Sequence, residues 1–122
     1  MKEIGCYLYN NNFIGKGSFS KVYVGYKKTD LNKKNKYAIK KIYRKNDVKY
    51  ISYVEKEIDI MKKLDHKNII KLYDTIYTEK YIFLILEYCD NDLHSFISKT
   101  DLDEYKIKYI IRQITDALKY IM

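Results

Sequence analysis

Five consecutive apolar residues, Ile82-Phe83-Leu84-Ile85-Leu86, constrain most what this chain can fold into. A run this short and this continuous reads as a strand, and with no polar side chain on either alternate face it must be buried on both. The fold therefore needs a sheet with apolar cover above and below. The predicted strand covers 81–88 and gives way to the polar segment Glu87-Tyr88-Cys89-Asp90-Asn91-Asp92.

The partners for that strand lie upstream. Tyr7-Leu8-Tyr9 is a short apolar patch, and Asn10-Asn11-Asn12 reads as a turn before Phe13 and Ile14. Val22-Tyr23-Val24-Gly25-Tyr26 is rich in β-branched and aromatic residues and predicts a strand. Residues 27–36 are polar, with Asp30, Asn32 and Asn35, and predict a loop. Tyr37-Ala38-Ile39-Lys40-Lys41-Ile42-Tyr43 predicts a further strand. Period two puts Ala38, Lys40 and Ile42 on one face, so Lys40 is flanked there by apolar neighbours. A last strand is predicted over 69–73.

Between these strands, Ile51, Val54, Ile58, Met61 and Leu64 recur at helical spacing and predict a helix over 51–64. Glu57 sits on the same stripe. A carboxylate there is expensive unless it finds a cation or reaches solvent at the stripe's edge. Downstream, Leu93, Phe96 and Ile97 suggest one or two helical turns. Asp101 and Glu104 have capping-box spacing ahead of a long helix whose buried face is Ile107, Ile110, Ile111, Ile114, Leu118 and Ile121.

At 122 residues the chain makes at most one compact domain. Its net charge of +8 is nearly all lysine, since Arg44 and Arg112 are the sole arginines. A nucleic-acid surface favours arginine for bidentate contacts, so solvated lysines explain the charge and no nucleic-acid partner is expected. No apolar run is long enough to span a bilayer and no leader pattern is present, so a soluble cytoplasmic chain without a membrane partner is expected. Cys6 and Cys89 have no metal-ligand spacing and fit free thiols.

Ile14-Gly15-Lys16-Gly17-Ser18-Phe19-Ser20-Lys21-Val22 places two glycines one residue apart between strands. Such a run serves equally as a hairpin turn or as a backbone that approaches a phosphate closely. The order of parts decides between them. A glycine-rich hairpin, a strand lysine in Tyr37-Ala38-Ile39-Lys40, a helix glutamate in Glu57-Ile58-Asp59-Ile60-Met61, and a buried strand ending in Glu87-Tyr88-Cys89 together resemble the N-terminal lobe of eukaryotic-type protein kinases. The resemblance covers nearly the whole chain from Ile14 and is most similar to serine/threonine kinases. Ser20 in place of the third glycine, Tyr37 in place of valine and Lys67 in place of proline depart from the family pattern.

The resemblance implies an α+β fold: a five-stranded antiparallel sheet with a C helix over 1–86, a hinge over 87–92, and the first helices of an incomplete helical lobe over 93–122. It implies ATP as the bound nucleotide. The backbone of Gly15, Lys16, Gly17, Ser18, Phe19 and Ser20 would cover the phosphates, and Lys40, held by Glu57, would contact them. Val22 and Ala38 would sandwich adenine under Ile14, with Leu86 as gatekeeper and the backbones of Glu87 and Cys89 on the adenine edge. Asp92 would meet the ribose, or simply cap a helix. Magnesium is expected for the family. Yet no His-Arg-Asp and no Asp-Phe-Gly occur in the sequence, so no residue is assigned as its ligand or as catalytic base. A chain truncated ahead of that machinery, inactive alone, is the expectation. It would expose the Ile107, Ile111, Ile114 and Leu118 face to a protein partner or to self-association. The alternative is a kinase-like module that acts only through protein contacts.

Overall fold

The computed structural model describes residues 1–44, 48–90, 92–99 and 101–122; Asn91, inside the expected hinge, lies outside them. In chain order the elements are β1 (Lys2–Ile4), β2 (Tyr7–Lys16), β3 (Ser20–Lys27), β4 (Tyr37–Tyr43), α1 (Val48–Lys63), β5 (Leu72–Tyr77), β6 (Tyr81–Glu87), α2 (Leu93–Lys99) and α3 (Glu104–Ile121). The described residues divide into two units, residues 1–63 with 71–88 and residues 64–70 with 89–122.

In the first unit every strand joins one antiparallel sheet of six, ordered β1-β2-β3-β4-β6-β5. β6 is buried on both faces, as its composition demands. Ile82 and Leu84 pack with Ile42 of β4 and with Val54 and Ile58 of α1. Phe83 and Ile85, pointing the other way, pack with Tyr7, Tyr9, Tyr23 and Ile39. The second core is aromatic: the Tyr9 ring lies 5.0 Å from that of Tyr23 and 6.0 Å from that of Phe83. Gly25 is fitted to it. A Cβ there would run into Ile39 Cδ1 and come within 2.9 Å of the Leu8 carbonyl oxygen.

Several boundaries differ from the sequence expectation. The expected sheet is one strand short, because Lys2–Ile4 pairs with the start of β2 and sets Ile4 against the aromatic core. Three residues are too few to carry a periodicity. The asparagines form no turn between strands. They sit within β2, where two extra residues are accommodated between the Tyr9–Gly25 and Phe13–Tyr23 pairs. Asn10 Oδ1 accepts the Asn12 N–H at 3.1 Å, so local side-chain bonding shapes a bulge. β5 starts at Leu72, later than the expected 69–73, and α1 begins at Val48, earlier than 51.

The second unit holds α2 and α3. The cap of α3 is Asp103, whose carboxylate accepts the Lys106 N–H at 2.8 Å, which displaces the expected Asp101. The expected buried face of α3 is mostly open: Ile107, Ile111, Ile114, Leu118 and Ile121 are between 43% and 57% exposed, and Ile110 is half-buried. Its packing within the unit uses other positions. Tyr120 Oη accepts the Asp65 N–H at 2.8 Å, and the Gln113 carbonyl accepts from Asn68 Nδ2 at 3.0 Å. No helix among the described residues is long and apolar enough to cross a membrane.

Two outcomes follow from the aromatic core. Gly25→Ala forces a methyl against Ile39 and a backbone carbonyl, and is expected to lower unfolding stability in urea by about 1–3 kcal/mol. Burial holds the Tyr7 and Tyr9 hydroxyls above their ordinary value of 10.0. Above that pH the unfolded chain ionises first, so the stability present below it is lost as pH rises toward the folded values. A pH series of urea midpoints is expected to fall there, and less so for Tyr9→Phe.

Candidate functional site

The glycine-rich hairpin is short and tied at both ends. β2 ends at Lys16 and β3 begins at Ser20. The Gly17 N–H donates to the Ser20 carbonyl at 2.8 Å, and the Tyr43 N–H donates to the Phe19 carbonyl at 2.9 Å, which ties the loop tip to the end of β4. Gly15 stands opposite Val22. A Cβ at Gly15 would lie 3.6 Å from Val22 Cβ, an ordinary contact. Nothing inside the protein therefore requires a glycine there. Its bare Cα leaves space at the surface, where a ligand can approach the backbone.

The register places the expected site residues in two neighbouring rows on one face of the sheet. Gly15 of β2, Val22 of β3, Lys40 of β4 and Leu84 of β6 are successive cross-strand partners. So are Val24, Ala38 and Leu86 in the adjacent row. Opposed residues of antiparallel strands project to the same side, so Gly15, Val22, Ala38, Lys40 and Leu86 share one surface. It is the face on which Ile42, Ile82 and Leu84 pack against α1.

The Lys40–Glu57 ion pair expected from the resemblance is not made: among the described residues the ion pairs are Lys28 with Glu3 and Lys108 with Glu104. Glu57 is exposed, although it follows Val54 and precedes Ile58, the two buried residues of α1. Burial and the Glu57 charge push the Tyr50 hydroxyl above its ordinary value, Glu57 being the smaller cause. Tyr50 also meets the glycine-rich loop. Its ring lies edge-on to Phe19 at 5.3 Å. Sequence reasoning missed Tyr50, although it stands four residues before Val54 on the helical stripe. Starting the helix at 51 left it outside.

Other expected residues stand apart or exposed. Ile14, Lys16, Gly17, Ser18 and Phe19 are exposed and Ser20 is half-buried. The Glu87 N–H donates to the Lys71 carbonyl at 2.9 Å, and its carboxylate accepts the Lys71 N–H at 3.1 Å, which fixes the end of β6 to β5. Cys89 and Asp92 belong to the second unit. Asp92 stands directly before α2 and its carbonyl accepts the Phe96 N–H at 3.0 Å, the first bond of that helix.

Residues 8–122 match the family model of the protein kinase domain. A putative serine/threonine-protein kinase of Acanthamoeba polyphaga mimivirus is 37% identical over 95% of this chain and 28% of its own length. Calcium-dependent protein kinase 3 of Plasmodium yoelii yoelii is 37% identical over 88% of this chain and 20% of its own. A probable serine/threonine-protein kinase of Dictyostelium discoideum, MARK-A, is 39% identical over 88% of this chain and 10% of its own. The chain thus spans 28% or less of each of these curated relatives.

The Phe19–Tyr50 contact links the loop tip to α1 and can be weighed directly. A double-mutant cycle with Phe19→Ala and Tyr50→Ala, read by urea unfolding, is expected to give a coupling of about 0.5–1.5 kcal/mol. Strict additivity would mean that the two rings do not hold loop and helix together.

Proposed function

The chain belongs to the protein kinase family, matching its domain over residues 8–122, and from that membership we propose that it is the ATP-binding portion of a serine/threonine protein kinase. One observation carries the reading to particular residues: Gly15, Val22 and Lys40 in one cross-strand row, with Ala38 and Leu86 in the next. An open backbone, small apolar side chains and an ammonium group on one surface suit a purine joined to phosphates.

Val22 and Ala38 flank the adenine, with Ile14 as its lid and Leu86 as gatekeeper. The backbone of Glu87 meets the adenine edge. The loop from Gly15 to Ser20 covers the phosphates with its backbone N–H groups, and Lys40 neutralises their charge. Glu57 holds Lys40 once its exposed carboxylate turns inward. The reaction assigned to the family moves the terminal phosphoryl group of ATP to a serine or threonine hydroxyl. These residues position its donor. Among the described residues no three His, Cys, Asp or Glu side chains converge. The sequence also lacks a His-Arg-Asp catalytic base. A second reading, a kinase-like module acting through protein contacts or self-association, is favoured by the open Ile107, Ile111, Ile114 and Leu118 face of α3.

Calorimetry on the 122-residue chain separates the readings. ATP is expected to bind weakly, on the order of hundreds of micromolar or worse, with little dependence on magnesium and no phosphoryl transfer to a protein substrate. Lys40→Ala should weaken binding further and Ala38→Phe should abolish it. Binding indifferent to both substitutions would remove the nucleotide from this face, and no binding at all would leave the protein-contact module.

A further inference from the structure

The opposite face of the same sheet carries a second constellation that the nucleotide reading does not use. Lys16 of β2 is paired with Lys21 of β3, and Lys21 with Lys41 of β4. Three lysines thus stand directly opposite one another across three strands, an arrangement that is destabilising on its own. Among the described residues, none of the three is in an ion pair. They line a pocket of about 270 Å³ together with Ser18, Tyr43 and Tyr81, and no carboxylate is among its lining residues.

Lys41 is the anchor of this pocket. Its ammonium sits 4.2 Å from the centre of the Tyr81 ring and 5.8 Å from that of Phe83. Lys21 lies over Phe13 at 5.0 Å. Partial burial pushes the Lys41 ammonium below its ordinary value, and the charges of Lys2 and Lys21 push it the same way. A fixed row of like charges with an aromatic wall and no counter-charge is complementary to a compact anion that brings two negative charges and an apolar side. The pocket falls just below the roughly 300–1,000 Å³ usual for ligand sites, so it suits one phosphorylated group rather than a nucleotide.

We propose that this outer pocket binds a phosphate monoester dianion, held by Lys21 and Lys41 beneath the glycine-rich loop, with the rings of Tyr43 and Tyr81 as its wall. The loop then has a ligand on each side: nucleotide phosphates on the Lys40 face and a phosphate monoester on the Lys41 face. Binding relieves the repulsion within the lysine row, so it stabilises the folded state by linkage.

The test is titration of the 122-residue chain with phenyl phosphate, inorganic phosphate, and a phosphotyrosine peptide beside its unphosphorylated form. Phenyl phosphate is expected to bind and to raise the melting temperature. The Lys21→Gln/Lys41→Gln double variant should lose at least about tenfold in affinity while melting no lower than the parent, because it removes repulsion. Lys41→Arg should keep binding. Ala38→Phe, which closes the nucleotide face, should leave phenyl phosphate binding intact, so this site and the nucleotide reading stand or fall separately. Tighter binding of the phosphopeptide supports the site with a phosphorylated chain segment as its source. Phenyl phosphate binding more tightly than inorganic phosphate, and as tightly as the phosphopeptide, supports it with a free monoester as its source, whereas inorganic phosphate binding as tightly as phenyl phosphate removes the aromatic wall and overturns it. An unaffected double variant, loss of binding in Ala38→Phe, or no binding of any phosphate at millimolar concentration each overturns the proposal.

Discussion

The structure depends on one strand being buried twice. β6 has Ile82 and Leu84 beneath α1 and Phe83 and Ile85 beneath the tyrosines of β2 and β3. Ile39 of β4 and Ile85 of β6 are cross-strand partners, and neither has any measurable exposure. Removing either cover would leave an apolar sheet face in water, where each such side chain forfeits about 1.5–3 kcal/mol. The helix and the curled N-terminal strands are therefore both obligatory.

The two covers are chemically unlike. The helix side is aliphatic, built on isoleucine, leucine and valine. The outer side is built on Tyr7, Tyr9 and Tyr23, and burial raises the Tyr7 and Tyr9 hydroxyls above their ordinary value. Tyrosine brings a wide apolar ring with a polar tip, so it can close a core at the edge of a small unit without leaving its hydroxyl far from water. The lysines use the same rings. Lys41 lies over Tyr81, Lys36 over Tyr88 and Lys71 over Tyr73. Part of the charge that reads as solvated surface in the sequence is instead laid along aromatic faces.

Strongly patterned elements were legible in the sequence. The continuous run of β6 announced its double burial, and the alternation in β4 put Ala38, Lys40 and Ile42 on the face where the register places them. The stripe through Val54 and Ile58 found α1. What stayed hidden was short, or set by neighbours. β1 has three residues and exists because Ile4 finds the aromatic core. The asparagines of β2 have turn chemistry, and only pairing on both sides turns them into a bulge. Asp101 and Asp103 both have capping chemistry, and the geometry of the chain chose the second. The order of motifs singles out Gly15, Val22 and Ala38, and the register sets them on one face of the sheet. The exposed posture of Glu57 and the ring of Tyr50 against Phe19 were not legible, because both depend on where α1 settles over the sheet.

Lys40 and Lys41 are neighbours in sequence and are directed to opposite sides of β4, one beside Val22 and one beside Lys21. Their identities are therefore a matter of parity. A change of one residue in the length of β4 ahead of them, with the rest of the ladder kept, would exchange the two ammonium groups between faces, whereas a change of two would restore each to its side. The loop over residues 28–36 can absorb length without that penalty, since Asn35 donates its N–H to Asp30 at 2.8 Å and closes the loop upon itself before the strand begins. Drift in this chain is thus free in one stretch and counted in even steps in the next, with the boundary at Tyr37.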